Sequence, residues 1–117
     1  MTPEQMITIT KLLNQVEPVS MREDGEVWIL DLGGGKETRV YADGGQYWYL
    51  NGERHRTDGP AAIDANGTQH WYLNGKLHRT DGPAMSWANG AHSWYLNGEW
   101  LSEAEHAEAV AAMKKDS

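Results

Sequence analysis

The chain contains no cysteine, and that single absence removes several chemistries at once. No disulfide framework, thiolate metal site or nucleophilic thiol can form, and a reducing intracellular compartment is permitted. Phenylalanine is absent too, so the large rings are six Trp and five Tyr. These bury wide areas while keeping one polar group each, which suits a thin sheet whose side chains are only partly covered. No apolar run approaches the ~20 residues needed to cross a bilayer. The opening MTPEQMITITKLL also lacks the basic start and small-residue cleavage site of an export signal. The expectation is a soluble, cytoplasmic chain.

Basic charge is in short supply, with 10 Lys and Arg against 17 Asp and Glu and a formal net charge of −7. Residues 36–101 are close to neutral, so the excess acid lies in the flanks. A field of this sign repels a phosphate backbone and an anionic leaflet, which argues against direct nucleic-acid or membrane binding. A protein partner with a basic surface is the expectation, and no cofactor is implied. At 117 residues the chain is one domain's worth.

What the chain has in abundance is self-similarity. The string WYLNGERHRTDGPA at 48–61 returns as WYLNGKLHRTDGPA at 71–84, and a third copy starts at Trp94, so the period is 23 residues. Asn74-Gly75 is a strong two-residue hairpin signal, because both central positions need positive φ, and Asn66-Gly67 reads the same way. Between them Thr68 to Leu73 is rich in strand formers, Lys76 to Arg79 returns as a shorter strand, and Asp81-Gly82-Pro83 breaks it. Strand alternation puts Trp71, Leu73 and His78 on one face, and His70, Tyr72, Leu77 and Arg79 on the other. Across the copies the first face becomes a ladder of Trp48, Trp71 and Trp94, joined by Tyr41 and Trp87. The second carries Tyr49, Tyr72 and Tyr95. Upstream, Val19 to Arg22, Val27 to Leu32 and Lys36 to Tyr41 read as further strands, the last two joined by a turn at Gly33-Gly34-Gly35.

Both ends read as helix. Thr2-Pro3-Glu4-Gln5 and Ser102-Glu103-Ala104-Glu105 are capping boxes. Met6, Ile9, Leu13 and Val16 follow the first at helical spacing, with Pro18 as the stop. The predicted organisation is one mainly β (α+β) domain: an N-terminal helix over 1–17, an antiparallel β-meander of stacked hairpins over 19–101, and a C-terminal capping helix over 102–115. In the third copy His78 to Asp81 gives way to Leu101 to Ala104, so the array is capped.

The residues YLNG, HR, DGPA and the Ala-x-Gly spacing resemble the MORN-type repeat in its divergent NGxxHRxDGPA form, over roughly residues 36–101. The resemblance implies stacked hairpins in one elongated sheet, acting as an adaptor or interaction surface without catalysis; dimerisation and scaffolding are associated with such modules. The small, acidic, cysteine-free design is also similar in type, not in motif, to small phage-encoded inhibitors of host defence such as anti-CRISPR proteins.

Several candidate sites remain to be weighed on the residues. His55 with Asp58, and His78 with Asp81, have the make-up of acid/base dyads or metal ligands. An active site needs its constellation once per domain, however, whereas this one recurs with the repeat. The Trp ladder is expected to be core. Gly33 to Thr38 has the wrong spacing for a phosphate loop and leads into a strand, so it reads as a turn. Tyr47, Tyr49, Tyr72, Tyr95 and Trp100, with Arg54, Arg56 and Arg79, have the composition of interface hot spots. Asp24 and Glu26 belong to an acidic patch suited to a basic groove. The expected function is therefore a non-catalytic protein-binding module, with a phage or mobile-element inhibitor that binds and blocks as its concrete form. The alternatives are a self-associating scaffold, in which a homodimer pairs uncovered strand edges, and a small-ligand or metal-dependent enzyme built on the His/Asp pairs.

Overall fold

A computed structural model describes residues 1–115 of the chain. It opens with helix α1 (Pro3–Leu13). Strands β1 (Ser20–Asp24), β2 (Val27–Gly33), β3 (Lys36–Val40), β4 (Gln46–Leu50), β5 (Glu53–Arg54), β6 (Ala62–Ile63), β7 (Gln69–His70), β8 (Tyr72–Leu73), β9 (Lys76–Leu77), β10 (Met85–Ser86), β11 (His92–Leu96) and β12 (Glu99–Leu101) follow, and helix α2 (Glu103–Lys115) closes the chain. The main sheet runs β1-β2-β3-β4-β6-β7-β10-β11-β12, with β5 paired to β4, while β8 and β9 pair separately. Every pairing is antiparallel. The protein is the mainly β meander with two terminal helices that its periodicity predicts, and its extents are 45 × 33 × 22 Å.

The Asn-Gly turns form as their chemistry requires: Asn51, Asn74 and Asn97 have φ of 50°, 51° and 51°, each followed by a glycine of positive φ. Asn66-Gly67 does not. Only Gly67 has positive φ; its N–H donates to the Asp64 carbonyl, and the Asn66 side chain accepts from Thr68 N–H at 3.0 Å. The side-chain oxygen supplies an Asx turn where a mirror-image hairpin turn was expected. Asp43 and Asn89 hold the equivalent loops in the same way.

The strand predicted over 68–73 is split at Trp71, and the reason is a fork. Trp71 N–H donates to Ala84 C=O at 2.7 Å, while its own C=O accepts from His78 N–H at 2.9 Å. One half of the strand thus pairs with the next copy and the other half with its own hairpin return. Trp48 forks identically between Ala61 and His55. Between return and fork the segment HRTDGPA leaves the sheet, which is why β9 ends at Leu77 and not at Arg79.

Both capping boxes are present. Helix α1 is shorter than predicted, ending at Leu13 with Asn14 as C-cap. Its buried stripe is Gln5, Ile9 and Leu12, whereas Met6 and Leu13 are exposed. Gln5 belongs to the stripe because its side-chain N–H groups donate to the carbonyls of Glu26 and Val40, tying α1 to the sheet. The core forms where this stripe meets Leu30, Val40, Trp48 and Ala61, with Val16, Trp28 and Leu32 at its rim. Here too the Trp ladder differs from expectation. Trp48 is buried, Trp71 and Trp94 are half-buried, and Trp87 is exposed. Helix α1 reaches only the first copy, so aliphatic side chains of β2 and β3 complete the core there and the later indoles need other cover.

Candidate interaction face

That cover comes from the repeated motif itself. The Arg56 guanidinium lies 4.2 Å from the Trp48 ring centroid, and that of Arg79 lies 3.8 Å from Trp71. Each arginine pairs with the aspartate two residues on, Arg56 with Asp58 at 2.9 Å and Arg79 with Asp81 at 2.8 Å. Each also donates to a proline carbonyl, Pro60 or Pro83, at 3.2 Å. The bonded guanidinium holds both aspartates below the usual carboxylate range. The glycines leave room for it: a Cβ on Gly59 would sit 2.9 Å from Arg56 Cζ, and one on Gly82 would sit 2.8 Å from Arg79 Cζ.

The histidines are latches between copies. His55 Nδ1 accepts from Asn74 N–H, and His78 Nδ1 accepts from Asn97 N–H, both at 3.0 Å. His55 and Asp58 therefore form no dyad, and neither do His78 and Asp81, because each partner faces a different group. The expected pairing on which an enzyme reading of these residues rests is absent. Likewise Arg56 and Arg79, expected on the tyrosine side, lie over the indoles, since strand alternation stops once the chain leaves the sheet. Among the described residues no three His, Asp or Glu side chains converge as metal ligands.

The largest cleft, about 480 Å³, lies on this side and is lined by Val16, Leu32, Lys36, Trp48, His55 and Arg56 among others. Its counterpart one copy on holds about 100 Å³ because Arg56 and Thr57 of the preceding copy form one wall. The first copy has no preceding loop, only the segment trailing α1. Helix α2 docks at the other end of the same side, where the buried His106 meets the Arg79 carbonyl through Nε2. His78 is pushed below its ordinary value of 6.5 by burial and then by His106.

The opposite face carries neither helix. Cross-strand partners share a face, and the register pairs Tyr49 with Arg54, Tyr72 with Leu77, and Tyr95 with Trp100. Successive pairs are joined by backbone bonds from Arg56 N–H to Tyr72 C=O at 3.1 Å and from Arg79 N–H to Tyr95 C=O at 3.3 Å. Tyr49, Arg54, Tyr72, Leu77, Tyr95 and Trp100 thus form one stripe. Trp100 at its end is 63% exposed. Arg39 Cζ lies 4.6 Å from the Tyr49 ring centroid. Arg54 Cζ lies 5.1 Å from that of Tyr47 and 5.5 Å from that of Tyr72.

Beside Arg54 is a cluster that sequence reasoning missed. Asp64 accepts from Tyr47 Oη at 2.7 Å and meets His70 Nε2 at 2.9 Å. Burial first, then the Asp64 carboxylate, pushes the Tyr47 hydroxyl up to about 12. Burial works against ionisation of Asp64, but His70 and Tyr47 outweigh it and hold the carboxyl below its usual range. The readable signal was a difference between copies: position 47 becomes His70 and then Ser93, 54 becomes Leu77 and then Trp100, and 64 replaces Tyr41 and Trp87.

Of the predicted interface residues, Tyr47, Tyr49, Arg54, Tyr72, Tyr95 and Trp100 therefore share a face, and Arg56 and Arg79 do not. Asp24 ends β1 and Glu26 lies in the exposed β1–β2 turn, at the far end of the strand order from Trp100. Among the described residues no helix is long and apolar enough to cross a membrane. No protein-family model matches the chain, and neither a curated protein nor a solved structure matches it.

Proposed function

We propose that the chain is a non-catalytic protein-binding module that uses its helix-free face. The observation that carries this reading is the division of labour between the two sides. On one, the repeated His, Arg and Asp groups are engaged in holding the copies together. On the other, Tyr, Arg and Trp side chains of hot-spot type form an uninterrupted stripe. A small inhibitor from a phage or mobile element, binding and blocking a host protein, is the concrete form we favour. The net charge of −7 and the exposed Asp24 and Glu26 suit a partner that is basic around the contact. The MORN-type likeness is part of the same proposal. The test is comparative capture from bacterial lysate. Wild type is expected to enrich a defined protein, Tyr72→Ala with Tyr95→Ala to lose it, and Lys11→Ala, on exposed helix surface, to keep it. No enrichment, or equal enrichment by all three, overturns the reading.

One observation favours a second reading, self-association. Strand β12 is the last in the sheet order and carries the exposed Trp100, whereas β1, the other edge, carries Arg22, Glu23 and Asp24, charges that discourage pairing. Sedimentation over a range of concentrations decides it: a constant monomer mass removes the homodimer.

A further inference from the structure

The three copies supply an internal comparison that separates scaffold from specialisation. Where the copies agree, nearly every residue has an assigned bond or fit: His55 and His78 latch, Arg56 and Arg79 cover indoles, Asp58 and Asp81 pair, Gly59 and Gly82 clear space. Tyr47, Arg54, Asp64 and His70 occupy positions where the copies disagree, so the fold does not dictate them. They nevertheless touch one another.

Arg54 is the odd member of the arginine set. Arg22 and Arg39 reach Glu37, Arg56 reaches Asp58, and Arg79 reaches Asp81. Among the described residues Arg54 reaches no carboxylate within ion-pair distance. Its guanidinium is instead held flat between the rings of Tyr47 and Tyr72. Tyr47 is fixed in turn by Asp64, and His70 stacks on Tyr72 with ring centroids 6.4 Å apart. A charge-bearing fork already oriented by its neighbours loses little side-chain entropy on binding, and a guanidinium matches a carboxylate bidentately. Arg54, Tyr47, Tyr72 and His70 line neither of the two repeat-equivalent clefts described above, so the surface suits a protein and not a small molecule. A polyanion is disfavoured by Asp64 and Glu37 close by, whereas a single acid is matched by one unpaired arginine.

Resting on the proposed function, we infer that Arg54 is the centre of the docking face and receives an Asp or Glu side chain of the partner protein, flanked by the Tyr47 and Tyr72 rings. The partner is thus basic around the contact and acidic at its middle.

The test is selection of short peptides from a random display library on the full chain, followed by affinity measurement on the enriched sequences. Arg54→Leu is the decisive variant, since Leu77 occupies the same place in the next copy and the fold accepts it; an unchanged urea midpoint checks this. The expected result is enrichment of peptides carrying Asp or Glu, with affinity falling about tenfold or more, equal to about 1.4 kcal/mol, when either Arg54 or the peptide acid is neutralised. Non-additive loss in the double change assigns the contact to that pair. Enriched peptides without an acid, or binding equally well to Arg54→Leu, overturn this inference and leave the binding face standing. Failure to enrich any sequence overturns the face itself.

Discussion

Gly82→Ala should destabilise the protein in the presence of Arg79 and stabilise it in its absence. Gly82 lies outside the positive-φ region, so the backbone itself accepts alanine. What a Cβ meets is the guanidinium of Arg79, at 2.8 Å from Cζ and 3.0 Å from Nε. That guanidinium cannot swing clear without loss, being held by Asp81, the Pro83 carbonyl and the Trp71 ring. The ion pair has one partner 77% exposed and contributes no more than about 1 kcal/mol. The cation–π contact over a half-buried indole adds roughly 0.5–2 kcal/mol, and the carbonyl bond roughly 1 kcal/mol. Partial displacement of the arginine therefore costs about 1–2 kcal/mol. In an Arg79→Ala background the obstacle is gone, and alanine gains about 0.4–1 kcal/mol by restricting the unfolded chain. Urea unfolding followed by far-UV circular dichroism, which does not depend on Trp71 emission, gives the four free energies of the cycle. The same cost for Gly82→Ala in both backgrounds, within about 0.3 kcal/mol, would mean that the backbone and not the guanidinium demands glycine. Gly59 and Arg56 supply an independent repeat of the experiment one copy earlier.

Three further outcomes follow from the bonding. Neutral His78 accepts the Asn97 N–H and is held below its ordinary value, so the unfolded chain binds its proton more readily; this contribution is full above pH 6.5 and is lost as pH falls through the depressed folded value. Urea midpoints measured on acidification should accordingly drop further for wild type than for His78→Gln, and parallel curves would exclude the latch. Gln5→Leu keeps the side chain's bulk but leaves the Glu26 and Val40 carbonyls without their donor, at a cost of about 2–3 kcal/mol by equilibrium unfolding. Asn74→Val should cost about 1–2 kcal/mol at a φ of 51° while Asn74→Gly stays near wild type, and equal losses would locate the effect in a lost side-chain contact.

How much of this was legible beforehand depended on whether the signal was local. The Asn-Gly turns and capping boxes are decided by a few adjacent residues, and they form where the sequence places them. The 23-residue period fixed the meander because equal copies must stack equally. Failures occurred where a distant partner decides. Thr68 to Leu73 has no local reason to split, and only Ala84 and His78, claiming opposite sides of Trp71, divide it. Gln5 looks like a cap residue alone until two sheet carbonyls appear beside it. Arg79 was placed by a two-residue alternation that applies only inside a strand, and its real neighbour, Trp71, follows from the Asp-Gly-Pro excursion.

The arginine misplacement carries the more general point about reading a repeat for function. Repetition draws the eye to His55, Arg56 and Asp58, a trio with catalytic make-up. A residue that recurs with the period, however, answers a demand that recurs with the period, and here that demand is cover for an indole and a tie to the next hairpin. A partner that meets the face at one place imposes no periodic demand. Its contacts should therefore fall where the copies part company while the backbone between them stays the same. Position 54 meets that condition: Arg, Leu and Trp take one backbone site in turn, and only the arginine is unpaired and flanked by two rings. The same logic places Trp100, the third occupant, at the rim, where it is most exposed and least constrained. Exchanging the occupants tests the whole scheme at once. Arg54→Leu with Leu77→Arg should preserve the unfolding midpoint to within about 0.5 kcal/mol, as expected of surface substitutions, while abolishing binding of the acid-bearing peptides. If the swapped chain binds them as well as wild type, the recognition is periodic after all and Arg54 has no special place in it.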